Sequence, residues 1–234
     1  MRPASASVIV RVGRPTGEWV LRRCAGADGA RYYEIRQGGR HLMDSSEGPT
    51  EVALAEIGLG CCGPGEGLRV LIGGLGFGHT LGAVLKDSRV ALAEVVELEP
   101  LLVEFLSAPE VRAELGSCDL ADPRVRVRVG DVRERIATAS SSYDCLLLDV
   151  DNGPGALSTA ANGWLYSLEG LGAARRALRP GGALAIWSAE AAPGCLARMG
   201  QVFPDAQTRA IPVERNGHRF ECWVLWGSRP RPGG

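Results

Sequence analysis

The sequence predicts an α/β protein, a doubly wound and mostly parallel sheet preceded by a small N-terminal β appendage. Three observations carry this. From residue 68 onward, short apolar runs alternate with segments of helical spacing, as parallel strands joined by crossovers require. Two of those runs, Leu68–Ile72 and Tyr143–Val150, are apolar almost throughout, as in strands buried on both faces. A glycine cluster, Gly73-Gly74-Leu75-Gly76-Phe77-Gly78, stands where the first run gives way to a helix.

The appendage covers residues 1–50. Ser7–Val12 alternates, Glu18–Arg23 can pair with it, and Arg31–Gln37 and Arg40–Met43 flank Gly38-Gly39, which reads as a hairpin. A ribbon of this size needs something to pack on and is not expected to stand alone. The main domain is expected over 51–228. Thr50–Leu59 has helical spacing, and Gly60–Gly67 is a loop. After the strand Leu68–Ile72 and the glycine loop, a helix starts at His79 or Thr80. Val90–Leu98 is the second strand, and Pro100–Leu106 opens a second helix. Val125, Val127 and Val129 alternate with Arg126 and Arg128, which predicts a half-exposed third strand. Leu165, Leu168, Leu171, Ala174 and Leu178 mark one face of a longer helix, stopped by Pro180-Gly181-Gly182 before the strand Ala183–Ser188. Gln207–Glu214 and Phe220–Gly227 flank Asn216-Gly217, a hairpin signal. Residues 229–234 read as a loose tail.

Composition narrows the function. With 234 residues, 45% hydrophobic and 23% charged, the chain has material for a real core. A net charge of −1 excludes a globally basic nucleic-acid binder, so nucleic acid is not an expected partner. Asp151-Asn152-Gly153-Pro154 lacks the second proline and the aromatic of the DNA amino-methyltransferase signature. No apolar run is long enough to span a bilayer, and no signal peptide is read at the start, so no membrane association is expected. The seven cysteines form no CxxC pair and no zinc pattern. They are expected to be reduced, in a cytoplasmic protein without a metal.

The chemistry-bearing residues gather at predicted strand ends. Gly73, Gly74, Gly76 and Gly78 would let main chain approach a ligand at the start of a helix, whose first N–H groups are unpaired. A tight strand–helix turn explains the same glycines without a ligand. Glu97 ends the next strand, where a carboxylate can hold ribose hydroxyls. Asp131, followed by Val132, ends the third strand, and Asp149 and Asp151 end the fourth. Asp131 could equally cap a helix, and Asp151 or Asn152 could form an Asx turn. Trp164 and Tyr166 could wall a substrate cation or simply pack a helix. His79 reads as a cap or packing residue before a catalytic one. His41 and His218 lie near turns, and Arg175-Arg176 reads as a solvated face.

From about Leu59 to Ser188 the chain resembles the spermidine synthase family, the polyamine aminopropyltransferases, of the class I S-adenosylmethionine-dependent methyltransferase fold. The matching stretches are Val70-Leu71-Ile72-Gly73-Gly74, Val96-Glu97-Leu98-Glu99-Pro100, and Asp122-Pro123-Arg124-Val125 leading to Gly130-Asp131. Tyr143-Asp144 running into Asp149, Leu165-Tyr166, and Leu178-Arg179-Pro180-Gly181-Gly182 complete them. The resemblance implies a seven-stranded Rossmann-like sheet. It also implies that Glu97 holds the ribose, Asp131 contacts the adenine amino group, and Asp149 is the acid at the reaction centre. Relatives suggest a homodimer, which nothing in the composition requires.

The chain departs from the family on the polyamine side. Gly76 replaces the loop Asp that binds the free amine of decarboxylated S-adenosylmethionine. An Asp there would repel the carboxylate of ordinary S-adenosylmethionine, whereas a glycine leaves room. Matching the first helix on Glu51 and Glu56 puts Leu54 and Ala55 at the polyamine-gripping positions, and the second Asp of the catalytic pair becomes Asn152. The leading expectation is therefore methyl transfer from S-adenosylmethionine to a small-molecule or peptide acceptor, with Asp149 as orienting base and Asp151 assisting. Asn152, Trp164 and Tyr166 are substrate-side candidates. The alternatives are aminopropyl transfer from decarboxylated S-adenosylmethionine and a nucleoside-binding module without catalysis.

Overall fold

In the computed structural model, the described residues are 4–14, 17–26, 29–46, 48–157, 159–215 and 218–231. The chain divides into two compact units, Met1–Gly48 and Pro49–Gly234.

The first unit is an antiparallel sheet of β1 (Ser5–Val12), β2 (Trp19–Ala25), β3 (Arg31–Gln37) and β4 (Arg40–Asp44), in that spatial order. The register places Arg22 opposite Glu34, and Glu34 opposite Asp44. Glu34 is buried, and burial pushes its carboxyl up, but bonds from Arg22, His41 and Arg36 outweigh this and hold it down at about 2. His41, exposed in β4, is thus a partner of Glu34, at 3.2 Å from Nδ1.

The second unit contains α1 (Pro49–Cys61), β5 (Leu68–Gly73), α2 (His79–Lys86), β6 (Val90–Glu97), α3 (Pro100–Ser107) and α4 (Pro109–Leu115). They are followed by β7 (Val125–Val129), α5 (Val132–Thr138), β8 (Tyr143–Leu148), α6 (Leu168–Ala177), β9 (Leu178–Ser188), α7 (Pro193–Val202), β10 (Gln207–Arg215) and β11 (His218–Ser228). The seven strands lie in the order β10-β11-β9-β8-β5-β6-β7. Strands β5 to β9 pair in parallel, and β11 and β10 close one edge antiparallel. The doubly wound, mostly parallel seven-stranded sheet expected from the sequence is present. Its centre is dry: Leu146, Leu147 and Ala183–Ile186 have no exposed surface. Gly58 lets α1 press onto this centre, since a Cβ there would lie 2.5 Å from Leu147 Cδ2 and 3.1 Å from Cys145 Sγ. The cysteines are all free, and five of the seven are buried, which suits their apolar surroundings.

Local expectations differ from the structure in four places. The long helix drawn through Leu165 and Leu168 is two elements, a 3-10 helix over Ala160–Tyr166 and then α6. Ser167 separates them, its hydroxyl accepting from Gly170 N at 3.1 Å as an N-cap. Apolar spacing cannot detect such a break, because Leu165 and Leu171 are buried on either side of it. Second, Pro180-Gly181-Gly182 lies within β9. The partners of Tyr143 and Cys145 are Leu178 and Ala183, so the intervening residues bulge out of the ladder. Third, Arg229 is not loose: Gly181 N donates to its carbonyl and its own N donates to Gly182 O, both at 2.8 Å. Fourth, α4 and α7 have no counterpart in the sequence reading, while α5 is the helix that Asp131 could cap. The Asn216-Gly217 turn, the His218 side chain and residues 232–234 lie outside the described residues.

Candidate active site

Counted from β5, the parallel strands run outward as β5-β6-β7 in one direction and β8-β9 in the other. Their crossovers diverge between β5 and β8, the switch point at which doubly wound sheets place their ligands, at the carboxyl ends of the strands. Gly73 and Asp149 meet there, with Asp149 N donating to Gly73 O at 2.9 Å.

Gly74 is indispensable to this junction. Its φ is +89°, and a Cβ would stand 2.1 Å from the Asp149 carbonyl oxygen. The loop is then tied to β6: Gly74 N donates to Val96 O at 2.9 Å, and Leu75 N donates to Glu97 Oε2 at 2.7 Å. Glu97 Oε1 accepts from Glu99 N at 2.8 Å. Glu97 is buried, and that burial raises its carboxyl above the usual range despite these bonds. Each of its oxygens keeps a further lone pair for a ligand hydroxyl. Val132 backs the loop, its Cγ2 lying 3.0 Å from where a Gly73 Cβ would be. Gly76 keeps partial contact with solvent, and Gly78 caps α2 in the left-handed conformation.

Asp149 follows β8. Its Oδ2 accepts from Thr80 Oγ1 at 2.9 Å, in the first turn of α2. It keeps partial solvent contact within dense protein. Burial, first, and the charge of Glu51 raise its carboxyl to about 7; Thr80 lowers it and Glu97 raises it further. A carboxyl poised near neutrality can take or hold a proton at working pH. Thr80 and Glu51 are the residues that sequence reasoning missed. The Thr80 hydroxyl in a helix's first turn is a faint signal, and Glu51 sits 98 positions from Asp149 in the numbering.

The other expected residues have visible structural duties. Asp131 caps α5, accepting from Arg133 N at 2.8 Å and pairing with the Arg133 guanidinium. Burial raises its carboxyl, but Arg133 more than offsets this and the net displacement is downward. Asp151 accepts from Asn162 Nδ2 at 3.0 Å and Tyr166 Oη at 3.1 Å, so it holds the 3-10 helix against the sheet. Burial, and then the charge of Asp151, push the Tyr166 phenol upward. Tyr166 is therefore a buried anchor of Asp151, and Trp164 packs partly buried on the same core. The Asn152 side chain is on the surface, and its carbonyl accepts from Ala189 N at 3.0 Å. His79 Nε2 is buried without a hydrogen-bond partner among the described residues. Among those residues, no group of three or more His, Cys, Asp or Glu is placed to hold a metal ion, and no helix is long and apolar enough to cross a membrane.

Strand order, glycine loop and acidic strand ends define the class: an α/β protein with a class I methyltransferase-like fold. Comparison with family models finds no match. Among curated proteins, the chain is 33% identical over 178 residues to polyamine aminopropyltransferase 2 of Streptomyces coelicolor, covering 76% of this chain and 31% of that protein. It is 32% identical over 120 residues to polyamine aminopropyltransferase 2 of Hyperthermus butylicus, covering 50% of this chain and 36% of that one. The spermidine synthase from Thermotoga maritima superposes with a TM-score of 0.73 at 20% identity, over 95% of this chain and 72% of that one. A spermidine synthase in complex with the transition state analogue AdoDATO superposes with 0.72, over the same shares. These relatives and neighbours support membership of the spermidine synthase family. It spans about a third of the length of the curated relatives it matches.

Proposed function

We propose that this chain is a transferase that moves an alkyl group from an adenosyl sulfonium donor to an amine nitrogen, with aminopropyl transfer from decarboxylated S-adenosylmethionine as the first reading. The observation that carries it is the Asp149 carboxyl at the strand switch point, held near neutrality beside Glu51 and Glu97. Negative charge lining a crevice favours a cationic donor and an amine acceptor. The names of the curated relatives support the aminopropyl form.

The residues present fit the nucleoside part of such a donor. Gly74 leaves a cradle that a Cβ would close, and the first turn of α2 offers N–H groups beside it. Glu97 would hold the ribose and Asp131 the adenine amino group. The donor supplies an electrophilic carbon already activated by its positive sulfur. The chain's own task is to hold the acceptor nitrogen in line and neutral. Asp149, as the carboxylate, accepts a proton from the ammonium form of the acceptor, while Thr80 fixes the orientation of its Oδ2. Asp151, braced by Tyr166 and Asn162, would act from farther out on acceptor charge.

One observation favours a second reading. Gly76 gives the loop no acid at the place where the family binds the donor's free amine, so an S-adenosylmethionine carboxylate would meet no repulsion there. That is methyl transfer. Incubation with each donor and an amine acceptor, followed by mass spectrometry, decides between them. An aminopropyl increment with methylthioadenosine supports the first reading, and a methyl increment with S-adenosylhomocysteine overturns it in favour of the second. Binding of either donor with no increment in any acceptor overturns both and leaves a nucleoside-binding module.

A further inference from the structure

We infer that Trp187 sets the acceptor's class: its indole N–H takes an uncharged carbonyl oxygen carried by the same molecule as the reacting amine. The inference rests on the amine-acceptor reading proposed above and names the second group that such an acceptor bears.

Register places the ring beside the proposed base. Alternate side chains of a strand share a face. In β9, Ala185 lies on the face that α1 covers, its Cβ 3.4 Å from where a Gly58 Cβ would be. Trp187, two residues on, projects from the same face. Leu147 of β8 also meets Gly58 there, so Asp149, two residues past it, shares that face. The bond from Thr80 to Asp149 agrees, since α2 packs against α1. Leu148 pairs with Ile186, and the next step along both chains brings Asp149 and Trp187 side by side at the carboxyl edge of the sheet. Contacts on both sides fix this edge: Asp149 N donates to Gly73 O at 2.9 Å, and Ala189 N donates to Asn152 O at 3.0 Å. On its far side Trp187 pairs with Val224 of β11.

The ring carries an unmet demand. It keeps partial solvent contact, while its Nε1 is buried and has no hydrogen-bond partner among the described residues. Buried polar groups in proteins are paired in the large majority of cases, and an exception calls for an explanation. In the second unit two other buried side-chain atoms share this state among the described residues, Arg112 Nε on α4 and His79 Nε2. His79 immediately precedes Thr80, the residue that bonds Asp149. Two of these three atoms thus belong to residues bordering the Thr80–Asp149 contact, which marks this end of the sheet as the place where a polar ligand group is received.

The chemistry of the donor narrows that group. An indole N–H only donates, so it cannot receive an ammonium and needs an oxygen. A carboxylate would stand beside Asp149, and like charge disfavours it there. An uncharged carbonyl offers two lone pairs without that conflict. The amine then faces Asp149 and the carbonyl faces Trp187. The acceptor class is therefore an amino-amide, and a plain alkylamine satisfies only half of the site.

The test uses the full chain with methylthioadenosine bound. Calorimetry with 3-aminopropanamide, 4-aminobutanamide and 5-aminopentanamide, each against the 1-aminoalkane of equal length, reads the preference in the wild type and in Trp187→Phe. The wild type should bind at least one amino-amide roughly 5–10-fold more tightly than its alkylamine, as one buried hydrogen bond provides, and W187F should bring that ratio near unity. The melting temperature checks that the variant is folded. Nitrogen-15 spectra of the wild type give a readout that needs no variant. The chain has five tryptophans, and the assigned indole N–H signal of Trp187 should move downfield when the amino-amide binds and stay in place when the alkylamine binds. Equal affinity for amides and alkylamines, a preference that survives in W187F, or an indole signal that does not move overturns the inference and leaves the amine-acceptor reading standing. A wild type that binds the nucleoside and none of these amines overturns that reading, and the inference with it.

Discussion

Replacing Asp149 by Asn should make the protein more stable and nearly inactive, and the gain in stability should depend on pH. In the folded chain the Asp149 carboxyl is raised from 3.8 to about 7, by burial first and then by Glu51 and Glu97. In the unfolded chain it ionises near its ordinary value. A raised acid favours folding only while it is protonated, so its contribution is full below about pH 4 and is lost as pH rises through 7. At pH 8 the ionised wild-type side chain costs up to about 4 kcal/mol, and partial solvent contact and shared charge with its neighbours reduce this to roughly 2–4 kcal/mol. Asn carries no charge and still accepts from the Thr80 hydroxyl, so the variant sheds that cost. Urea denaturation should show equal stability for the two proteins below about pH 4, divergence between pH 4 and 7, and a plateau above. The corresponding rise in melting temperature at pH 8 is about 5–10 °C for a unit of this size. Turnover should fall by roughly 10²–10⁴-fold while nucleoside affinity stays. A variant no more stable at pH 8 than at pH 4, relative to wild type, would refute the claim that the site holds this carboxyl against its will. Unchanged turnover would remove Asp149 from the chemistry.

Four further outcomes follow from named contacts. Gly74→Ala puts a Cβ 2.1 Å from the Asp149 carbonyl at a φ of +89°, so it should destabilise by more than about 3 kcal/mol or abolish nucleoside binding, read by denaturation and calorimetry. Glu97→Gln should leave the fold intact and weaken nucleoside binding roughly 10-fold or more, because the amide presents a donor where two backbone N–H groups already point. Glu94→Gln removes the charge that pairs with Arg135 at 2.7 Å and leaves one accepting oxygen where the Arg135 guanidinium and the Tyr143 hydroxyl, at 2.6 Å, now use two, and should cost about 3 kcal/mol at pH 7. Arg135 and Tyr143 hold the Glu94 carboxyl down against the upward push of burial, so this wild-type advantage should fade as pH falls below about 4.5. Tyr166→Phe removes one of the bonds that hold Asp151 and should cost about 1–2 kcal/mol, with a raised KM for the acceptor and little change in kcat if Asp151 bears on acceptor charge.

Much of this protein could be read from the chain alone. Strand–helix alternation and the apolar runs at Leu68–Ile72 and Tyr143–Val150 are local properties, and burial on both faces leaves a continuous imprint on them. The glycine loop and the acids Glu97, Asp131 and Asp149 were visible because the carboxyl ends of successive strands in a doubly wound sheet share one edge. What lay beyond the sequence was partnership. The pattern Asp-x-Arg serves Asp131 as a helix cap and ion pair, while Asp149, with no ion pair among the described residues, is left raised. Asp151 could be a base or a turn residue until Tyr166 and Asn162 were seen to bind it. The break at Ser167 and the bulge at Pro180 were hidden because apolar spacing continues through both.

The main strands and the helices that follow them were written in the chain, because hydrophobic periodicity and glycine placement act over a few residues. Which carboxylates stay uncompensated was settled by packing alone. A carboxyl's ionisation depends on every charge and dipole within several ångströms, and for Asp149 those come from Glu51, Thr80 and Glu97, on three elements that chain order does not bring together.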